Sequence, residues 1–125
     1  MKIVQSPQAP AAIGPYSQAV VHDGIVYCSG QIGLTADGAW VGPDVRPQTV
    51  QCLANLAAVL EAAGSDLSGV LRATIFVADM GDFDIVNEEY AKAFAGHKPA
   101  RACVEAARLP KDARVEISCI AVVRT

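Results

Sequence analysis

The chain has 125 residues, of which 52% are hydrophobic and 18% charged, and it carries a formal net charge of −3. That length suits one domain with its own core, residues 1–125, and the apolar content excludes a disordered chain. Its acidic balance and scattered Lys and Arg argue against nucleic acid as a partner, because counterion release from a phosphate backbone needs clustered cations.

In chain order, Ser17–Val21 and Ile25–Ser29 flank Asp23-Gly24, a strong hairpin signal. Between Asp44 and Gly64 the hydrophobic period becomes helical. Thr49, Leu53, Leu56, Ala57 and Leu60 fall on one stripe, with Gly64 placed to end the helix. Leu71–Ala78 is β-branched and apolar and predicts a buried strand. Asp82 then caps a second helix with Phe83, Val86, Asn87, Tyr90 and Phe94 on one face. Ala102–Ala107 and Arg114–Val123 close the chain as strands, with Leu109–Asp112 as their hairpin loop.

The resulting order, β-β-α-β-α-β-β, predicts a two-layer α+β fold with both helices on one sheet face. The last strand is apolar on both sides, with Val115, Ile117 and Cys119 against Ile120 and Val122. Its second face is therefore expected to need cover, and another subunit is the natural source. The low charged fraction points the same way. No secretory signal or ~20-residue apolar span is read, so the expectation is a cytoplasmic protein without a membrane partner. Cys28, Cys52, Cys103 and Cys119 show no zinc-site spacing, and no metal is expected. Cys28, Cys52 and Cys119 read as small buried hydrophobes.

Several polar residues interrupt this pattern. Glu116 lies in the doubly apolar last strand, where a carboxylate needs a partner, a raised pKa, or an opening to solvent. Arg101 opens the preceding strand, either as a ligand clamp or as a surface charge at a strand end. If the two last strands pair through Leu109–Asp112, Glu105 faces Glu116, Cys103 faces Ser118, and Arg101, Cys103 and Glu116 share one face. A one-residue slip would undo that arrangement. Asn87 breaks the second helix's stripe as a structural amide or a ligand contact. Ser29-Gly30-Gln31 ends a strand where glycine lets a ligand approach the backbone. Tyr16 follows Gly14-Pro15 as a polar-tipped wall or as core. His97, beside Gly96, reads as a solvated loop histidine.

Taken together, Ala11-Ala12-Ile13-Gly14-Pro15-Tyr16-Ser17-Gln18, Ser29-Gly30-Gln31, Pro99-Ala100-Arg101-Ala102-Cys103-Val104-Glu105 and Val115-Glu116-Ile117 resemble the RidA (YjgF) family across nearly the whole chain. The resemblance implies a chorismate-mutase-like homotrimer with ligand sites between subunits. It also implies hydrolysis of enamines and imines, such as 2-aminoacrylate and 2-imino acids, to a 2-keto acid and ammonium without a cofactor. On this resemblance Arg101 clamps the substrate carboxylate and Glu116 holds the attacking water. Tyr16, Ser29, Gly30, Asn87 and Cys103 line the site. The alternatives are a metabolite-binding or chaperone-like trimer without turnover, or an RNA-directed endoribonuclease or translation inhibitor. One segment departs from the family: Phe94–Lys98 is short, and Lys98 stands where an aromatic residue often precedes the Pro-x-Arg motif. That substitution bears on the pocket wall and on the preferred substrate side chain.

Overall fold

The computed structural model describes residues 1–124. Its elements are β1 (Lys2–Val4), β2 (Ala19–His22), β3 (Ile25–Gln31), α1 (Val45–Ala62), β4 (Val70–Val77), α2 (Phe83–Phe94), β5 (Ala100–Glu105) and β6 (Val115–Val122). All six strands form one sheet in the order β1-β2-β3-β6-β4-β5. The β2–β3 hairpin turns on Asp23 and Gly24, both at positive φ, as Asp-Gly chemistry requires. β1, which the sequence reading omitted, pairs antiparallel with β2. None of the described helices is long and apolar enough to cross a membrane.

Helix α1 buries Thr49, Leu53, Leu56 and Leu60, the stripe expected from its period, together with Cys52, Asn55 and Val59. It ends at Ala63, with Gly64 at φ +81 just beyond. Helix α2 buries Val86, Tyr90 and Phe94. Asp82 stands at its N-cap position but makes no capping bond there; its carboxylate meets the Arg114 guanidinium at 2.7 Å instead. Both helices pack on one face of the sheet, against Val26, Ala73, Ile75, Val77, Val115 and Ile117, each fully buried. The opposite face carries Ile3, Tyr27 and Val104, 60%, 48% and 46% exposed, with Phe76 and Ile120 half-buried beside them. This is the uncovered apolar face that the alternation of the last strand predicts.

One expectation fails. β5 and β6 do not pair: β5 runs parallel to β4 at the sheet edge, and β6 inserts antiparallel between β3 and β4. Glu105 therefore does not face Glu116, nor Cys103 Ser118; Glu116 faces Phe76, and Ser118 faces Thr74. The physical reason is in the strands themselves. β6 alternates fully buried with half-buried residues and belongs in the centre, whereas β5 is exposed at both ends and tolerates an edge. The crossover through α2 also sets β5 parallel to β4, which a hairpin cannot do.

Candidate active site

Glu116 projects from β6 onto the open face, because Val115 and Ile117 on either side point into the helix-covered core. Its side chain lies across Gly30. A Cβ at Gly30 would come within 2.8 Å of the Glu116 carboxyl carbon and 2.9 Å of its Cγ. Glycine is needed there for space, since any side chain would displace the acid. The β3–β6 register shifts between Cys28 and Gln31, so Ser29 and Gly30 sit on an irregularity of the kind that re-aims groups beside functional sites. Among the described residues no cation pairs with Glu116, and burial pushes its carboxyl above the usual carboxylate range.

The irregular stretch is stitched in place from both sides. The Ser29 hydroxyl donates to the Ser17 carbonyl at 2.5 Å, and the Ser29 amide donates to the Gln18 carbonyl at 2.9 Å. Tyr16 therefore hangs next to this corner; it is largely exposed, and its hydroxyl accepts from the Ile13 amide at 3.3 Å. Gln18 is buried and clasps the N-terminal loop, accepting from the Ser6 amide at 2.6 Å and donating to the Pro10 carbonyl at 2.7 Å. On the far side, the fully buried Asn55 donates to the Leu34 carbonyl at 2.8 Å and the Ile32 carbonyl at 3.3 Å. These two amides are supports that the sequence reading missed. Gln18 was legible only as part of the Tyr16-Ser17-Gln18 run, and Asn55 carries no signal beyond a polar residue among apolar ones.

Arg101 builds a different environment. Its guanidinium carbon stands 4.9 Å from the Tyr90 ring centroid and 5.6 Å from that of Phe83, a cation–π seat that orients the planar fork. Its Nη1 donates to Asn87 Oδ1 at 2.7 Å. Asn87 is thus a positioning partner of Arg101, and Tyr90, read from sequence as core, is the aromatic floor beneath it. Arg101 pairs with no carboxylate among the described residues and borders a cavity of about 360 Å³ with Asn87, Tyr90, His97 and Lys98. A larger cavity of about 550 Å³, lined by Ile3, Ser6 and Gln18 among others, touches the candidate set only at Tyr16. Cys103 is half-buried, and burial raises its thiol against the opposing effect of Arg101. It is therefore a poor nucleophile at neutral pH.

The register sorts these residues by face. Arg101 aligns with Ala73 and Cys119, and Cys103 with Ile75 and Ile117, all on the helix side. Glu116 aligns with Phe76 and Val104 on the other side. The expected common face for Arg101, Cys103 and Glu116 is therefore wrong within one chain. The candidate residues instead fall in two groups: Glu116 against Gly30 with Ser29 beside it and Tyr16 adjoining its partner Ser17, and Arg101 with Asn87 and Cys103. His97 also departs from expectation. It is half-buried, with Nε2 at 2.7 Å from the Val70 carbonyl oxygen, so that nitrogen carries the hydrogen.

The profile of the Endoribonuclease L-PSP family matches residues 6–123. A relative from Arabidopsis thaliana named Reactive Intermediate Deaminase A, chloroplastic, is 46% identical over 121 residues; the match covers 96% of this chain and 65% of that longer protein. A Bos taurus relative named 2-iminobutanoate/2-iminopropanoate deaminase is 48% identical over 122 residues, covering 97% of this chain and 89% of the relative. A crystal structure of E. coli TdcF with bound serine superposes with a TM-score of 0.94 at 40% identity, covering 100% of both chains. With this sheet, these two helices and these matches along nearly its whole length, the chain belongs to the Endoribonuclease L-PSP family, that of RidA and YjgF.

Proposed function

We propose that this chain hydrolyses small 2-imino acids and their enamine tautomers to 2-keto acids and ammonium, in clefts formed between copies of itself. The observation that carries this reading is the pair of incomplete half-sites. Arg101 is a seated guanidinium without a carboxylate, and Glu116 is a half-buried carboxylate without a cation, on opposite faces of one sheet. A clamp from one protomer facing an acid from the next completes both. The exposed apolar face supplies the surface for that association, and a closed three-fold ring of chorismate-mutase-like protomers gives three equivalent clefts.

In such a cleft Arg101 grips the substrate carboxylate bidentately, its rotation restrained by Asn87 and the Tyr90 face. The imine reacts as its N-protonated form, and Glu116, as the carboxylate, takes a proton from water as the oxygen adds to the imine carbon, giving the carbinolamine. Glu116 returns that proton to the amine nitrogen, and the C–N bond breaks as the ketone forms. The hydroxyl proton leaves on the departing ammonia, so that iminium and one water become ketone and ammonium. A carboxyl with a raised pKa suits both halves of that exchange. The name of the Bos taurus relative supports imine deamination, that of the Arabidopsis relative deamination of a reactive intermediate, and the serine bound to TdcF supports a small ligand carrying a carboxylate. The net charge of −3 favours this reading over an RNA-directed one.

The test is keto-acid release from 2-iminopropanoate generated in situ by an amino-acid oxidase. The wild type is expected to accelerate release, and Arg101→Ala to lose about 10²-fold in kcat/KM, the scale of a charge-assisted bidentate contact. Undiminished activity in that variant would remove Arg101 from the site, and no acceleration by the wild type would end the hydrolase reading.

A further inference from the structure

The loop from α2 to β5 is fixed in place. Ala95 ends the helix at φ +50 and Gly96 follows at φ +94. The His97 amide donates to the Phe94 carbonyl at 3.0 Å, while its ring is tied to the Val70 carbonyl on β4 at 2.7 Å. Pro99 then locks its own φ and biases Lys98 to extended backbone. Lys98 is thus presented from an ordered frame and lines the 360 Å³ cavity that Arg101 borders.

The charge there is one-sided. The cavity lining includes Arg101, Lys98 and His97, and no carboxylate. Elsewhere Arg46, Lys92, Arg108, Arg114 and Arg124 each lie within ion-pair distance of an Asp or Glu. Lys98 and Arg101 do not, among the described residues; nor do Lys2, Arg72 and Lys111, but Lys98 and Arg101 line one cavity together. Tyr90, which also lines the cavity, carries a buried hydroxyl without a hydrogen-bond partner. In a chain of net charge −3, two unmatched cations on one small cavity make an anion-binding surface with more capacity than one carboxylate fills.

We infer that Lys98 is a specificity determinant and that the preferred substrate is a 2-imino acid bearing a second carboxylate on its side chain. This rests on the hydrolase reading above and names its substrate class. Arg101 takes the carboxylate next to the imine carbon. The Lys98 ammonium, a point charge on a flexible four-carbon stem, takes the distal one without demanding bidentate geometry. A monocarboxylic imine leaves Lys98 unmatched and forgoes that contact.

The test compares two imines made in situ, 2-iminosuccinate from L-aspartate by an aspartate oxidase and 2-iminopropanoate from L-alanine by an amino-acid oxidase. The readout is the ratio of their kcat/KM values. The wild type is expected to favour 2-iminosuccinate by about tenfold or more, the scale of one charge-assisted contact. Lys98→Met is expected to collapse the ratio toward one and Lys98→Arg to keep it. Added salt should lower the wild-type ratio, because the contact is solvent-accessible. A wild type that hydrolyses 2-iminopropanoate but has the same ratio as Lys98→Met overturns this inference alone. A wild type that hydrolyses neither imine overturns the hydrolase reading and this inference with it.

Discussion

Glu116 is held half-buried across Gly30, with Phe76 opposite and the neutral thiol of Cys52 on the α1 side of the sheet. Desolvation without a cation raises its pKa, which disfavours the charged form the chemistry needs first. For a carboxyl raised in the folded state, the stabilising contribution is complete below its ordinary value. It is lost as pH rises through the raised one. In the separated protomer, where no cation faces the acid, Glu116→Gln is therefore expected to unfold at a higher temperature than the wild type at pH 7, the gap closing as pH falls below the ordinary range near 4.5. The same variant is expected to lose about 10²-fold or more in kcat. Wild-type kcat/KM should rise with pH as the Glu116 carboxyl ionises, and Glu116→Gln should lose that rise. A variant equal to the wild type in both stability and rate would contradict this account of the residue. Glu116, Arg101 and Gly30 all stood out in the sequence, because each is a charge or a glycine where a strand pattern calls for something else. The partners that set their geometry did not: Tyr90 looks like any core aromatic, and nothing local marks Gln18 or Asn55 as clasps.

The loop after β3 owes its shape to helix α1. Gln48 donates to the Gly42 carbonyl at 2.9 Å and accepts from the Arg114 amide at 2.8 Å. Gly33 packs so closely on it that an added Cβ would stand 2.9 Å from its Cγ. Asn55 holds the Ile32 and Leu34 carbonyls two turns further along. Asn55→Ala leaves those carbonyls without their donor in a buried site, and the expected cost is about 2 kcal/mol of stability, read from urea unfolding. A change within error would mean that water replaces the amide without loss. The helices and the β2–β3 hairpin were legible because their signals are local: a 3.6-residue stripe, a terminal glycine, an Asp-Gly turn. The placement of β6 was not. A strand inserted between two others that it follows in sequence is decided by which strand buries both faces, and the hairpin inference ignored the crossover through α2. β1 was missed because Lys2–Val4 is too short to show alternation.

One protomer presents an apolar sheet face to solvent and splits its candidate machinery between that face and the helix side. Each feature is costly alone, and the association proposed above would resolve both. A three-fold closure, which repeats one heterologous contact, would give each cleft Arg101 from one protomer and Glu116 from its neighbour. The most direct test is subunit complementation: Arg101→Ala and Glu116→Gln chains, each inactive alone, are mixed by joint unfolding and refolding, and 2-iminopropanoate hydrolysis is measured. Random assembly leaves about one cleft in four with both groups intact, so about a quarter of wild-type activity should return. Mixed assemblies that remain as inactive as either parent would place both groups in the same protomer's site and contradict the shared cleft.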